Sequence, residues 1–211
     1  MRLDPSAFNA HLANMGQRFL WRPANTCPCV SEATGSPKQD CPVCEGKGRW
    51  WDDPIFATAA ACGQKIQREW AQFGMWESGD VVLTIPSDSP LYQVGVWDQV
   101  AMADSTQPFN VTLTHGGADF VSIPVLEVNR AYWLNDAGDT VVEGGVPEVR
   151  TDGMIIFNAG PPPIGKRYIM TGRMHPTFYA FTDFAQDRSA HSGADLPRRV
   201  VLRKLDLYGR T

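Results

Sequence analysis

The feature that most constrains this chain is the stretch Cys27–Gly48, CPCVSEATGSPKQDCPVCEGKG, which holds four of its five cysteines. They fall as Cys27-Pro-Cys29 and Cys41-Pro-Val-Cys44, two close pairs joined by a loop. One turn of backbone can present each pair, and the loop lets the pairs converge, as a tetrahedral thiolate site requires. Gly35, Ser36 and Pro37 supply turn chemistry in that loop. Gly46 and Gly48 permit a tight turn that aims backbone N–H groups at sulfur. The first pair is one residue shorter than the commoner C-x-x-C. The expectation is one structural Zn²⁺ held by Cys27, Cys29, Cys41 and Cys44, with no coordination position left for a substrate. The alternatives are a pair of disulfides or four unconnected thiols. Disulfides suit a secreted chain, and MRLDPSAFNAHLANMG lacks the apolar run of a signal peptide. Cys62, in an alanine-rich run, reads as a small buried apolar residue.

Charge and motif content narrow the function classes. A net charge of −4 and a pI near 5.5 argue against a protein that coats nucleic acid by charge alone. Between Cys27 and Trp51 the bases Lys38, Lys47 and Arg49 are matched by Glu32, Asp40 and Glu45. No stretch approaches the ~20 apolar residues that span a bilayer, so no membrane partner is expected. G-x-S-x-G, Walker and H-E-x-x-H motifs are absent. His11, His115, His175 and His191 stand in unrelated contexts, none beside a nucleophile motif. The chain therefore reads as a non-enzyme with no catalytic residues.

Periodicity predicts a mainly β protein: a β-sandwich or barrel with a small N-terminal helix and a four-cysteine, zinc-ribbon-like module. Residues 4–20 read as the helix, with Asp4 as cap, Pro5 at the first position, and Phe8, Leu12 and Phe19/Leu20 on one face. Residues 1–54 then form helix plus zinc module, and 55–211 a β-rich domain. Residues 55–73 have a composition that permits a helix, which Gly63 would interrupt, and Phe56–Cys62 can also form a strand; context favours strand. Further strands are expected at Val81–Ile85, Gly95–Met102, Phe109–Leu113, Ile123–Leu134, Val141-Val142, Met154–Phe157, Tyr168–Met174, Phe178–Phe184 and Arg198–Leu207. No helix longer than two turns is expected within 79–207. Trp50-Trp51 beside the cysteines would pack a module with little core onto its neighbour, base stacking being the sharper alternative. Arg198, Arg199, Arg203 and Lys204 read as a solvated strand edge, or as a contact for an acidic neighbour or phosphate.

Several motifs together resemble a known group. They are Trp21-Arg22, the C-P-x-C-x-G-x-G-R run Cys41–Arg49, G-D-V-V-L-T-I-P at Gly79–Pro86 and Pro90-Leu91-Tyr92. Farther on come Val141–Gly145, Asp152–Phe157, Gly160–Tyr168 and H-P-x-F from His175. In this order they resemble tailed-bacteriophage virion structural proteins of the neck or head–tail connector (collar). The resemblance implies a non-catalytic ring component, six- or twelve-fold, assembled in the host bacterial cytoplasm and resident in the virion. It implies contacts with itself, with portal or adaptor proteins and with tail proteins, DNA being only passing cargo. The alternatives are a tail or baseplate component, a zinc-ribbon nucleic-acid-binding module, or a DnaJ-like chaperone module, since Cys41–Gly48 is similar to one C-x-x-C-x-G-x-G repeat of that family.

Overall fold

A computed structural model describes residues 4–62, 71–72, 77, 79–117, 119–121, 123–151, 153–183, 190–191 and 193–205. The order opens with α1 (Pro5–Met15), β1 (Gln17–Arg22), β2 (Ala24–Thr26), β3 (Arg49–Trp51), β4 (Ile55–Ala61) and β5 (Val81–Ile85). A 3₁₀ turn at Pro90–Gln93 precedes β6 (Gln99–Met102). Then come β7 (Gln107–Thr114), β8 (Val125–Leu134), β9 (Val141–Glu143), β10 (Glu148–Val149), β11 (Ile155–Ile156) and β12 (Arg167–Met174). The chain closes with β13 (Thr177–Asp183), β14 (Ala190–His191), β15 (Ala194–Asp195) and β16 (Arg198–Lys204). The protein is mainly β, with a short N-terminal helix, a closed six-stranded barrel and a four-cysteine cluster. Among the described residues no helix is long and apolar enough to cross a membrane.

Two compact units make up the chain: Met1–Asp104 with Thr177–Thr211, and Ser105–Pro176. A boundary after residue 54 would cut the pairing of β1 with β4, where Phe19 stands opposite Ala57 and Trp21 opposite Ile55. The β-rich stretch 79–207 likewise divides between the two units.

In the first unit the barrel runs β1-β4-β5-β16-β13-β6 and closes where β6 meets β1, Phe19 opposite Met102. All its pairings are antiparallel. Alternate residues fill the interior: Phe19, Trp21, Leu83, Ile85, Val100, Phe178, Val200 and Leu202, against the small Ala57, Ala59 and Ala180. Large rings against alanines let a narrow interior fill without voids.

The first element differs from the expected helix over 4–20. Asp4 does cap, its carboxylate accepting from the Ser6 amide at 3.0 Å, and Pro5 opens the helix. The helix ends at Met15, and Gln17–Arg22 is a strand. From Gln17 the exposure pattern has period two, with Phe19 and Trp21 inward, and barrel burial of those rings outweighs one more helical turn. Gly16 makes the switch, because a Cβ there would stand 2.8 Å from the Leu12 carbonyl oxygen. The strand reading of 55–73 fits Ile55–Ala61 but not Ala71 and Gln72, which lie in helix and turn; residues 63–70 and 73 lie outside the described residues. So do residue 184 at the end of β13 and residues 206–207 beyond β16.

The basic run at 198–204 is neither an edge nor a solvated patch. β16 lies between β5 and β13 in the barrel wall, and Arg203 is buried in a two-pronged pair with Asp80, both contacts 2.9 Å. Arg198 bonds Asp183 and the carbonyls of Tyr92 and Val94. Closing the barrel turned a terminal strand into an interior one.

The second unit is a four-stranded sheet, β7-β12-β8-β9, with the β10-β11 hairpin. Phe109, Val121, Ala131, Ile155, Tyr168 and Met170 form its core. Asn135–Asp139 makes the expected hairpin turn: Gly138 sits at φ +76° and the Asn135 amide donates to the Thr140 carbonyl at 2.9 Å. Gly172 lies at a register shift between β12 and β8. A Cβ there would come within 2.0 Å of the Glu127 carbonyl oxygen and 2.8 Å of the Phe109 ring. Gly172→Ala is therefore expected to cost about 1–3 kcal/mol by forcing the strands apart. Denaturant unfolding of the full chain checks this, and a loss under about 0.5 kcal/mol would contradict it.

Candidate metal centre

The hairpin β2–β3 brings the two ends of the cysteine loop together, with Ala24 opposite Trp51 and Thr26 opposite Arg49. Inside that clamp each cysteine pair sits on its own turn. The Val30 amide donates to the Cys27 carbonyl at 3.0 Å, so the short first pair still closes a turn. In the second, Glu45 donates to the Cys41 carbonyl at 2.8 Å and Lys47 to that of Cys44 at 2.9 Å. Glu45 (φ +50°), Gly46 (+79°) and Gly48 (+75°) all adopt left-handed backbone, the tight reversal expected from the glycines.

All four sulfurs lie within 4.8 Å of one another. Cys27 Sγ is 3.7 Å from Cys41 Sγ, and Cys29 Sγ is 3.4 Å from Cys44 Sγ. A tetrahedral metal with ~2.3 Å metal–sulfur bonds places its sulfurs about 3.8 Å apart. A disulfide needs ~2.05 Å, and the five cysteines form none. The arrangement could hold a metal ion among its four sulfurs. Cys27, Cys41 and Cys44 are buried, Cys29 is half-buried, and Val30 and Trp50 pack against them. Cys62 stands elsewhere, 3.0 Å from Thr84 Oγ1.

The surroundings favour thiolate where they reach it. The Gly48 amide lies 3.3 Å from Cys44 Sγ, as a supporting shell does for a metal thiolate. Amides of Cys44 and Val43 draw the Cys41 thiol down to about 6. At Cys29 the Lys38 amide pulls downward, but burial and the three neighbouring thiols outweigh it and push that thiol up to about 12. Four sulfurs this close cannot all carry charge without a cation among them.

The centre is joined to the barrel through side chains whose partners the sequence did not reveal. Trp51 Nε1 donates to the Trp97 carbonyl at 3.0 Å, and the Arg49 guanidinium lies 4.2 Å from the centre of the Trp97 ring. Trp97, at φ +78°, also stacks on Tyr179, with ring centres 5.2 Å apart. Asp98 accepts from Trp21 Nε1 (2.7 Å), the Ala24 amide (2.7 Å) and the Gly95 amide (2.8 Å), binding barrel interior, metal loop and Trp97 turn at one carboxylate. Trp51 thus ties the module to its neighbour, while Trp50 packs against the cysteines within it. A Trp-Asp turn with no glycine at the left-handed position carries no sequence signal for this role.

The histidines stay scattered, with one association that sequence spacing did not suggest. His115 Nδ1 lies 3.2 Å from Asp119 Oδ2, its ring edge-on to Phe157 and Tyr168. Among the described residues the buried Tyr168 hydroxyl has no hydrogen-bond partner, and burial, with the Asp119 charge beside it, pushes its pKa well above the usual phenol range. That hydroxyl stays protonated. His175 Nδ1 lies 3.1 Å from the Ser105 carbonyl, a strand-entry contact as its His-Pro context suggests. No family model matches the chain, and neither does any curated protein.

Proposed function

We propose that Cys27, Cys29, Cys41 and Cys44 hold a structural Zn²⁺, and that the chain is a non-catalytic subunit of a ring in the neck of a tailed-phage particle. The observation that carries the metal assignment is the closed set of four sulfurs within 4.8 Å. Sulfur-only tetrahedral sites select Zn²⁺ or iron–sulfur chemistry, and a compact single-ion set of this size suits zinc. With every position filled by sulfur, the ion serves to fix backbone and has no place for a substrate.

The ring reading rests on the order of motifs from Trp21 to the H-P-x-F run. A metal-fixed loop tied to a barrel supports it as a rigid projection able to grip a neighbour. The cations of that loop are engaged: Lys38 with Asp40 (3.6 Å), Lys47 with Glu45 (3.4 Å), and Arg49 on Trp97. This weakens the nucleic-acid alternative, which needs free positive charge.

Rings form when a head-to-tail interface closes on itself, and assembly on a particle is compatible with a weakly associating chain in solution. Mass spectrometry of purified virions is expected to find the chain, and electron microscopy of a knockout to find heads and tails unjoined. Absence from virions, or normal necks in the knockout, would overturn the assignment.

A further inference from the structure

The four-stranded sheet of the second unit ends in two unlike edges. β9 is three residues long and carries Glu143, ion-paired with Arg130. β7 runs eight residues, QPFNVTLT, without a charge and without a bulge against β12. Among the described residues no strand pairs with its outer side. Natural edges are usually blunted by charge, bulges or shortness, and a long uncharged edge is a template for another strand.

The register tells which groups face outward. The His115 amide donates to the Lys166 carbonyl at 3.1 Å, continuing the pairing of Thr114 with Arg167. Hydrogen-bonded pairs alternate along an antiparallel ladder. The odd positions of β7 therefore bond β12, while Pro108, Asn110, Thr112 and Thr114 turn their backbone groups away from it. Those four residues are exposed. Two of the outward groups are already accounted for. Pro108 has no N–H to give, and the Thr114 carbonyl already accepts from the Gly117 amide at 3.3 Å.

We propose that β7 is a self-pairing edge, and that two copies of this chain join there about a two-fold axis through Val111. In that register Asn110 of one copy faces Thr112 of the other, and each exchanges both backbone bonds. Pro108 faces Thr114. The missing donor thus meets the one carbonyl already occupied, and the Thr114 amide still reaches the Pro108 carbonyl. No like charges are opposed. The same strand can meet itself in one antiparallel alignment that leaves no outward group unmatched, which makes a second copy the fitting occupant. The contact is isologous and closes on a pair, so it stands apart from the ring reading. An interface of one strand edge belongs to the small class, under about 1,200 Å², which gives a concentration-dependent dimer.

Sedimentation of the full chain over a concentration series tests this, with residue-level hydrogen exchange as a second readout. The expected result is a monomer–dimer equilibrium in which the amides of Asn110 and Thr112 gain protection as dimer forms. Thr112→Lys and Asn110→Glu change exposed side chains whose amides play no part within the sheet. Each is expected to weaken the dimer about tenfold or more. Val141→Lys, on the opposite edge, is expected to leave it intact. A monomer at all concentrations with those amides exchanging freely would overturn the proposal. So would a dimer indifferent to Thr112→Lys and Asn110→Glu, or association lost equally in Val141→Lys, which would assign the edge to a head-to-tail contact.

Discussion

Replacing Cys41 by serine is expected to strip the chain of its metal and to release the segment from Ala24 to Trp51, while the barrel keeps its fold. The segment has little else to hold it: its buried cluster is Cys27, Cys41 and Cys44, with Cys29, Val30 and Trp50 packed against them. Structural Zn²⁺ in small modules is worth an apparent ~10–16 kcal/mol of binding free energy, far more than so small an apolar cluster supplies. The barrel core, by contrast, contains none of these residues. Chelation of the wild-type chain is expected to act like the substitution, with proteolytic cleavage appearing between residues 27 and 48 before the barrel unfolds. Cys62→Ser is expected to keep its full metal content, because Cys62 contacts Thr84 rather than the cluster. Metal analysis with limited proteolysis checks all three, and full metal retention by Cys41→Ser would contradict the ligand set.

Arg203→Leu is expected to cost the first unit about 3–5 kcal/mol. The side chains of Arg203 and Asp80 are 4% and 0% exposed, and the guanidinium also lies 3.9 Å from the centre of the Phe181 ring. Removing the cation takes the ion pair from a buried carboxylate, to which the Glu77 amide still donates at 3.1 Å, in a wall where Val82 and Val201 are fully buried. A loss of this size is a large share of the 5–15 kcal/mol that holds a typical domain together. Substituting Asp80 and Arg203 together by leucine is expected to recover part of the loss, since the cost comes from the unpaired charge more than from the missing attraction. Denaturant unfolding of the single and double variants measures it. A loss below about 1 kcal/mol for Arg203→Leu would show the pair to be solvated rather than buried.

Much of the second unit was legible because its strands alternate and its turns carry Gly, Asn and Asp. Phe109, Val111 and Leu113 alternate with polar partners within β7, and the Asn135–Asp139 turn sits where those residue types place it. The four-cysteine cluster was legible too, since cysteine spacing restricts geometry more tightly than any apolar pattern. Long-range pairing left weaker traces. Nothing local in Gln17–Arg22 marks it as a strand, because its partners are β4 and β6, and one of them lies far along the chain. The same holds for β16, whose arginines look solvent-facing until β5 and β13 enclose them. The insertion of one unit between β6 and β13 is hidden for a similar reason: strands of both units share period two and similar turns, so composition does not change at the crossing. Asp98 and Trp97 were invisible because their roles are set by backbone groups that only the folded chain brings near.

The most direct test of the account is the metal content and sulfur coordination of the purified wild-type chain. Elemental analysis is expected to give one zinc per chain, and X-ray absorption a shell of sulfur alone at ~2.3 Å. A folded chain without bound metal, or an ion held partly by nitrogen or oxygen, would contradict the assignment of Cys27, Cys29, Cys41 and Cys44 as a closed thiolate centre.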